Sequence, residues 1–173
     1  MGCGPDEVVF TSGGSEANNH AIKGVFFANR DRGGHIVTTA VEHPATLEPC
    51  RFLERTLGAK VTVVPVDRFG RVDPDDVRKA ITPLTILITV MHANNEVGTV
   101  QPIAEIATLA RERGIPVHTD AAQSVGKIPV RVDELGVDFL SVAGHKLYAP
   151  KGVGALYIRA GRELPKLMHG AGH

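Results

Sequence analysis

The sequence has no tryptophan, only two cysteines and two tyrosines, and no surplus of either charge, and each shortage narrows what the chain can be. Two thiols, Cys3 and Cys50, cannot build a disulfide-stapled scaffold, and this sparse use of cysteine fits a reducing, cytoplasmic setting. Lysine plus arginine equals aspartate plus glutamate at 19 each, so no basic footprint marks a nucleic-acid or anionic-membrane partner. The sequence shows no charged-then-apolar leader and no apolar run of membrane-spanning length. It has no internal repeat and no low-complexity tract. What it does have is 173 residues of 43% hydrophobic composition, enough for one well-buried domain.

Short β-branched runs alternate with helical patterns along this length. Runs at 8–11, 35–39, 60–64, 85–91, 116–119, 139–142 and 154–158 read as strands, and 16–29, 45–57, 74–81 and 103–113 as helices. This alternation is the rhythm of an α/β domain, a mainly parallel sheet with helices on both faces. Asp73 followed by Pro74 marks a capped helix start, and Gly114 marks a helix end. The last run follows the turn Ala149-Pro150-Lys151-Gly152 and reads as an antiparallel strand on a mixed edge. The chain enters its first strand almost at once and stops on the glycine-rich stretch 169–173, which reads as a piece of a longer protein.

In open α/β sheets ligands bind at the carboxyl ends of the strands, where loops lead into helix N-termini. Five strand ends here carry polar or glycine-rich groups: Ser12-Gly13-Gly14-Ser15, Glu42-His43, His92-Ala93-Asn94-Asn95-Glu96, Asp120-Ala121-Ala122-Gln123 and Gly144-His145-Lys146. The first suits a phosphate, because backbone N–H groups and a positive helix end converge there, although small residues in that place also make a plain tight turn. It is neither a Walker A loop nor a dinucleotide fingerprint. Asp120 follows a strand that should be buried on both faces, so its carboxylate needs a partner, either a backbone turn or a pyridinium N–H. Lys146 follows an apolar strand, where an ammonium is costly and a neutral amine able to form a Schiff base is favoured. His43 offers a flat ring that titrates near neutrality, or simply a hydrogen-bonded filler. Asn94 and Asn95 supply either an Asx turn or an amide aimed at a ligand. Cys50 shares a helical stripe with Leu47, Leu53 and Leu57 and reads as core.

Together the segments 11–19 (Thr-Ser-Gly-Gly-Ser-Glu-Ala-Asn-Asn), 41–43 (Val-Glu-His), 92–98 (His-Ala-Asn-Asn-Glu-Val-Gly), 118–127 (His-Thr-Asp-Ala-Ala-Gln-Ser-Val-Gly-Lys) and 143–146 (Ala-Gly-His-Lys) resemble the class-V aminotransferase-like enzymes. Within these, the chain is most similar to the cysteine desulfurases of the NifS and IscS type and to the related selenocysteine lyases. The resemblance implies the large domain of the fold-type I enzymes that use pyridoxal 5′-phosphate (PLP), with residues 1–173 forming that domain and an N-terminal arm and C-terminal small domain lying outside them. It implies Lys146 as the lysine bound to the cofactor, Asp120 at the pyridine nitrogen, and Gln123 and Asn95 at the phenolic oxygen. His43 would stack on the ring and act as acid or base, while Gly14, Ser15 and His145 would hold the phosphate. The implied substrate is L-cysteine or L-selenocysteine, the implied state a homodimer, and the implied recipient of sulfur an acceptor scaffold protein.

Two features depart from the family pattern. Ala143 stands where desulfurases usually have a phosphate-binding serine, which leans toward the lyase branch. The substrate-gripping arginine and the persulfide cysteine of the family fall beyond residue 173. A desulfurase is therefore the first reading, a selenocysteine lyase the second, and a truncated, non-catalytic PLP-binding or interaction module the third. The histidines at 145, 169 and 173 do not read as a metal site, since no cysteine accompanies them and the resemblance gives His145 to the phosphate.

Overall fold

A computed structural model describes residues 1–170. Seven strands form one sheet: β1 (Val8–Thr11), β2 (His35–Thr39), β3 (Lys60–Val64), β4 (Thr85–Thr89), β5 (Val117–Asp120), β6 (Phe139–Ala143) and β7 (Gly154–Ile158). Five helices connect them: α1 (Gly14–Asn29), α2 (Pro44–Leu57), α3 (Pro74–Ala80), α4 (Ile103–Arg111) and the single turn α5 (Val132–Leu135). The strand order is β1-β7-β6-β5-β4-β2-β3. Strands β3, β2, β4, β5 and β6 run parallel, and β7 is antiparallel to both of its neighbours. Among the described residues no helix is long and apolar enough to cross a membrane.

The helices lie on both faces, as the alternation predicts, and each face has its own core. On one, Ala17, Ile22 and Val25 of α1 and Leu53 of α2 pack with Ile36, Leu87 and Leu156 of the sheet. On the other, Val77 of α3 and Ile103 and Ile106 of α4 pack with Ile88, Val117 and Leu140. Strands covered on both sides read as near-continuous hydrophobic runs, which is why β2, β4 and β6 are buried at every position. Cys50 belongs to the α1–α2 core, as its helical stripe predicts, and burial pushes its thiol up to about 12. Local signals also hold. Asp73 caps α3 by accepting the Asp75 N–H at 2.8 Å, and Gly114, at φ 65°, turns the chain just beyond α4.

Two expectations need correction. The run 154–158 is antiparallel but is not an edge; β1 takes the edge, and β7 lies between β1 and β6. The run 85–91 stops being strand at Thr89, because the Met91 N–H turns away from the ladder to the Glu42 carboxyl at 2.9 Å. Helix α5 spans four residues, too short to leave a periodic signature.

The position of β7 has a geometric effect on the carboxyl edge of the sheet. Being antiparallel to both neighbours, it makes β1 run in the same direction as β6, so the loop after β1 emerges on the same edge as those after β2, β4, β5 and β6. Its first residue, Gly154, pairs with both Thr11 and Ala143. A Cβ at Gly154 would lie 2.6 Å from the Gly13 backbone and 2.8 Å from the Val142 carbonyl oxygen, so the bare glycine lets the Gly13 loop cross the sheet. Gly154→Ala is expected to lower stability by about 1–3 kcal/mol through overpacking, read as a fall in melting temperature; an unchanged melting temperature would show that the loop does not depend on this contact.

Candidate active site

The five strand ends singled out in the sequence enclose one cavity of about 340 Å³. Its lining includes Gly14, Ser15, His43, Asn95, Asp120, Gln123, His145 and Lys146. All eight predicted site residues are thus brought together, from positions as far apart as 14 and 146.

At one side lies the N-terminus of α1. The first helical hydrogen bond runs from the Ala17 N–H to the Gly13 carbonyl, which leaves the N–H groups of Gly14, Ser15 and Glu16 without helical partners. Ser12 donates through its backbone N–H to Glu16 Oε2 at 3.0 Å, and its hydroxyl donates to the same oxygen. These bonds hold the Glu16 carboxyl below the usual range and fold it back over the loop. A Cβ on Gly14 would meet the Ala143 Cβ at 3.2 Å, so the helix start sits directly on the end of β6.

Asp120 forms the floor and is 6% exposed. Its Oδ1 accepts the Ala122 N–H at 3.0 Å, the backbone turn considered above, while Oδ2 accepts the Asn18 amide at 2.7 Å. Below it a polar strut crosses three strands. His118 contacts Thr89 Oγ1 through Nδ1 at 2.8 Å and Ser141 Oγ through Nε2 at 2.9 Å. Burial pulls its pKa down to about 3, so the ring stays neutral.

His43 is both a cavity wall and a helix cap. Its Nδ1 accepts the Ala45 N–H at 3.1 Å, so a neutral ring carries its proton on Nε2. Asn94 and Asn95 divide the roles left open in the sequence. Asn94 is the turn residue, its Oδ1 accepting the N–H groups of Glu96 and Val97, while exposed Asn95 lines the cavity. Gln123 Oε1 accepts the Lys127 ammonium at 2.9 Å, leaving its own amide N–H groups as donors.

Lys146 corrects an expectation. The sequence places it against an apolar strand, where desolvation would neutralise it, but it is exposed. The reason is local: β6 ends at Ala143, and a 3-10 turn over Gly144–Lys146 carries the chain outward, so the side chain reaches the cavity mouth. That turn is fixed by Gly144 N–H to the Val153 carbonyl at 2.9 Å and Leu147 N–H to the Gly144 carbonyl at 2.8 Å. Tyr148, two residues on, adopts φ 61°, a left-handed conformation unfavourable for an aromatic side chain. Among the described residues no three His, Cys, Asp or Glu side chains gather to hold a metal ion. Residue His173, and with it the end of the glycine-rich stretch 169–173, lies outside the described residues.

Residues 2–173 match the family described as aminotransferase class-V. The chain belongs to that family. Class-V enzymes of the desulfurase group depend on PLP, and the sheet with helices on both faces is the fold-type I arrangement. The chain is 60% identical to the cysteine desulfurase IscS of Dictyoglomus turgidum over 98% of its own length and 43% of the relative's. It is 52% identical to the cysteine desulfurase IscS of Methanosarcina thermophila, covering 42% of that protein. Among solved structures, SspA in complex with cysteine superposes with a TM-score of 0.93 at 48% identity, covering 98% of this chain and 49% of that one. A NifS-like protein gives the same TM-score at 40% identity, covering 97% and 46%. The chain therefore spans less than half the length of these relatives.

Three neighbours of the cavity were given no role in the sequence: Asn18, Glu42 and Thr46. All three are buried polar side chains within or beside the quoted motifs, and burial is not visible in a motif. Glu42 accepts the Thr39 hydroxyl at 2.6 Å and the Met91 N–H at 2.9 Å, tying the end of β2 to the end of β4. Burial, with a smaller contribution from the nearby Asp120 charge, pushes its carboxyl from 4.5 to about 8. A carboxyl raised on folding binds its proton more tightly in the folded state, so its contribution to stability is full below 4.5 and is lost as pH rises toward about 8. Glu42→Gln keeps the shape and the Met91 bond but cannot titrate. Its melting temperature should fall less than that of the wild type between those two pH values, and parallel melting curves would contradict a protonated Glu42.

Proposed function

We propose that this chain is the cofactor-holding large domain of a longer PLP-dependent cysteine desulfurase, which moves sulfur from L-cysteine to an enzyme thiol. The observation that carries the reading is the convergence of three unlike groups on one cavity. Asp120 lies at the floor, the open N–H groups of Gly14 and Ser15 at one side, and the Lys146 amine at the mouth. They match the three handles of PLP: a ring nitrogen, a phosphate and an aldehyde.

Each residue has a physical task in this reading. Gly14 and Ser15 donate backbone N–H groups to the phosphate, helped by the positive end of α1, with His145 beside them. Asp120 would accept from the ring nitrogen. Gln123, whose carbonyl oxygen is already taken by Lys127, donates to the phenolic oxygen, and Asn95 approaches the same atom. His43 covers the ring face and, with its proton on Nε2, can give or take a proton. Lys146 would hold the aldehyde carbon of the cofactor, and its amine would be placed to move a proton at the substrate α-carbon. Bound PLP supplies an electron sink for bonds broken at the substrate.

The overall exchange is balanced: the sulfur of L-cysteine passes to a protein thiol, giving a persulfide and alanine. Cys50 cannot be that thiol, since it is buried in the core with its ionisation suppressed. Cysteine is preferred over selenocysteine because the similar proteins are cysteine desulfurases and one solved relative is in complex with cysteine. The desulfurase reading favours a homodimer and a sulfur-acceptor protein as partner, in a reducing compartment such as the cytoplasm.

Incubation with PLP should give a visible absorption band, and borohydride should fix the cofactor to Lys146, as read by peptide mass mapping. A band that survives in Lys146→Ala would overturn the assignment. A second expectation concerns Ala143, whose methyl faces the start of α1. Ala143→Ser adds a hydroxyl donor at the phosphate end and should tighten PLP binding by about 5–10-fold, the worth of one added hydrogen bond of about 1 kcal/mol; unchanged or weaker affinity would place the phosphate elsewhere.

A further inference from the structure

Asn18 is fully buried on α1 and lines the cavity. Its Nδ2 donates to Asp120 Oδ2 at 2.7 Å and to Thr46 Oγ1 at 3.3 Å, while its Oδ1 has no hydrogen-bond partner. Turning the amide over would not repair this, because it would set the carbonyl oxygen against the Asp120 carboxylate. A buried carbonyl left without a partner is destabilising, and an aliphatic residue of similar size would avoid it. What the amide supplies in return is its contacts. Thr46 lies on the first turn of α2, the helix that His43 caps, so one amide joins α1, the helix behind His43, and the carboxylate on β5.

Asp120 otherwise has one donor, the Ala122 N–H on Oδ1. That single bond leaves the carboxylate free to swing about its χ2 bond. A donor on Oδ2 as well fixes the plane of the group.

We propose that Asn18 is a positioning residue for Asp120: its amide holds the carboxylate in one orientation toward the cavity, and Thr46 anchors that amide to the helix that presents His43. This rests on the PLP reading above. Asn18 does not touch the cofactor in this scheme; it acts through Asp120, by fixing the acceptor that the ring nitrogen meets. The device is separate from the α1 N-terminus, which serves the phosphate, although the same helix carries both.

The test compares wild type, Asn18→Leu and Asn18→Ser for PLP affinity and for the position of the visible band, alongside melting of the cofactor-free protein. Leucine removes the donor and the orphaned carbonyl together; serine is too short to reach Asp120 and serves if leucine does not fit. Loss of a hydrogen bond to a charged group predicts PLP binding weaker by about 10–100-fold and a displaced band, with melting of the cofactor-free protein close to wild type. Equal affinity and an unmoved band in either folded variant would overturn the role of Asn18. So would a loss of affinity that appears only with an equal loss of cofactor-free stability. Failure of the wild type to bind PLP at all would instead overturn the cofactor reading, and this inference with it.

Discussion

The site depends on one constraint of direction: β7 runs against both β1 and β6. That reversal lets two strands far apart in sequence, β1 and β6, point the same way while a third lies between them. The loop after β1 and the turn after β6 then meet over Gly154, a position that admits no side chain. The start of α1 and the turn bearing Lys146 are brought to the same edge of the sheet in this way. With β7 between them, the ends of β1 and β6 stand two strand spacings apart, roughly 10 Å, with both loops on one edge of the sheet.

The layer beneath the cavity is polar, which is unusual for a parallel sheet covered on both faces. His118, Thr89, Ser141, Asn18, Thr46 and Asp120 are all buried. Nearly every atom in this layer has a partner, the exception bearing on the cavity being Asn18 Oδ1. A satisfied polar network in a low-dielectric setting is stiff, since moving one member strands the others. The floor of the cavity is therefore pre-set before any ligand arrives, whereas Lys146 and His145 at its mouth are exposed and can adjust.

Much of this was legible in the sequence. Strand and helix positions followed from β-branched runs and capping residues, and the chemical groups at the strand ends announced the site before their distances were known. What was not legible depended on tertiary context. The place of β7 within the sheet is a matter of pairing, and no local pattern in Gly154–Ile158 distinguishes an edge from a second strand. The exposure of Lys146 depends on a 3-10 turn of three residues, below the length at which periodicity speaks. Asn18 and Glu42 stood inside recognisable motifs, yet their importance lies in what they touch 102 and 49 residues away.

Those separations have a consequence for how the molecule holds together. The cavity wall is assembled from segments spread between residues 12 and 146, so it exists only when nearly the whole sheet is formed. Any ligand that engages both ends of it binds the folded chain and not a partly folded one, and adds its binding free energy to the stability of the entire domain. Occupancy of this cavity is then a measure of folding as much as of affinity: the site acts as a proofreader of the sheet that builds it.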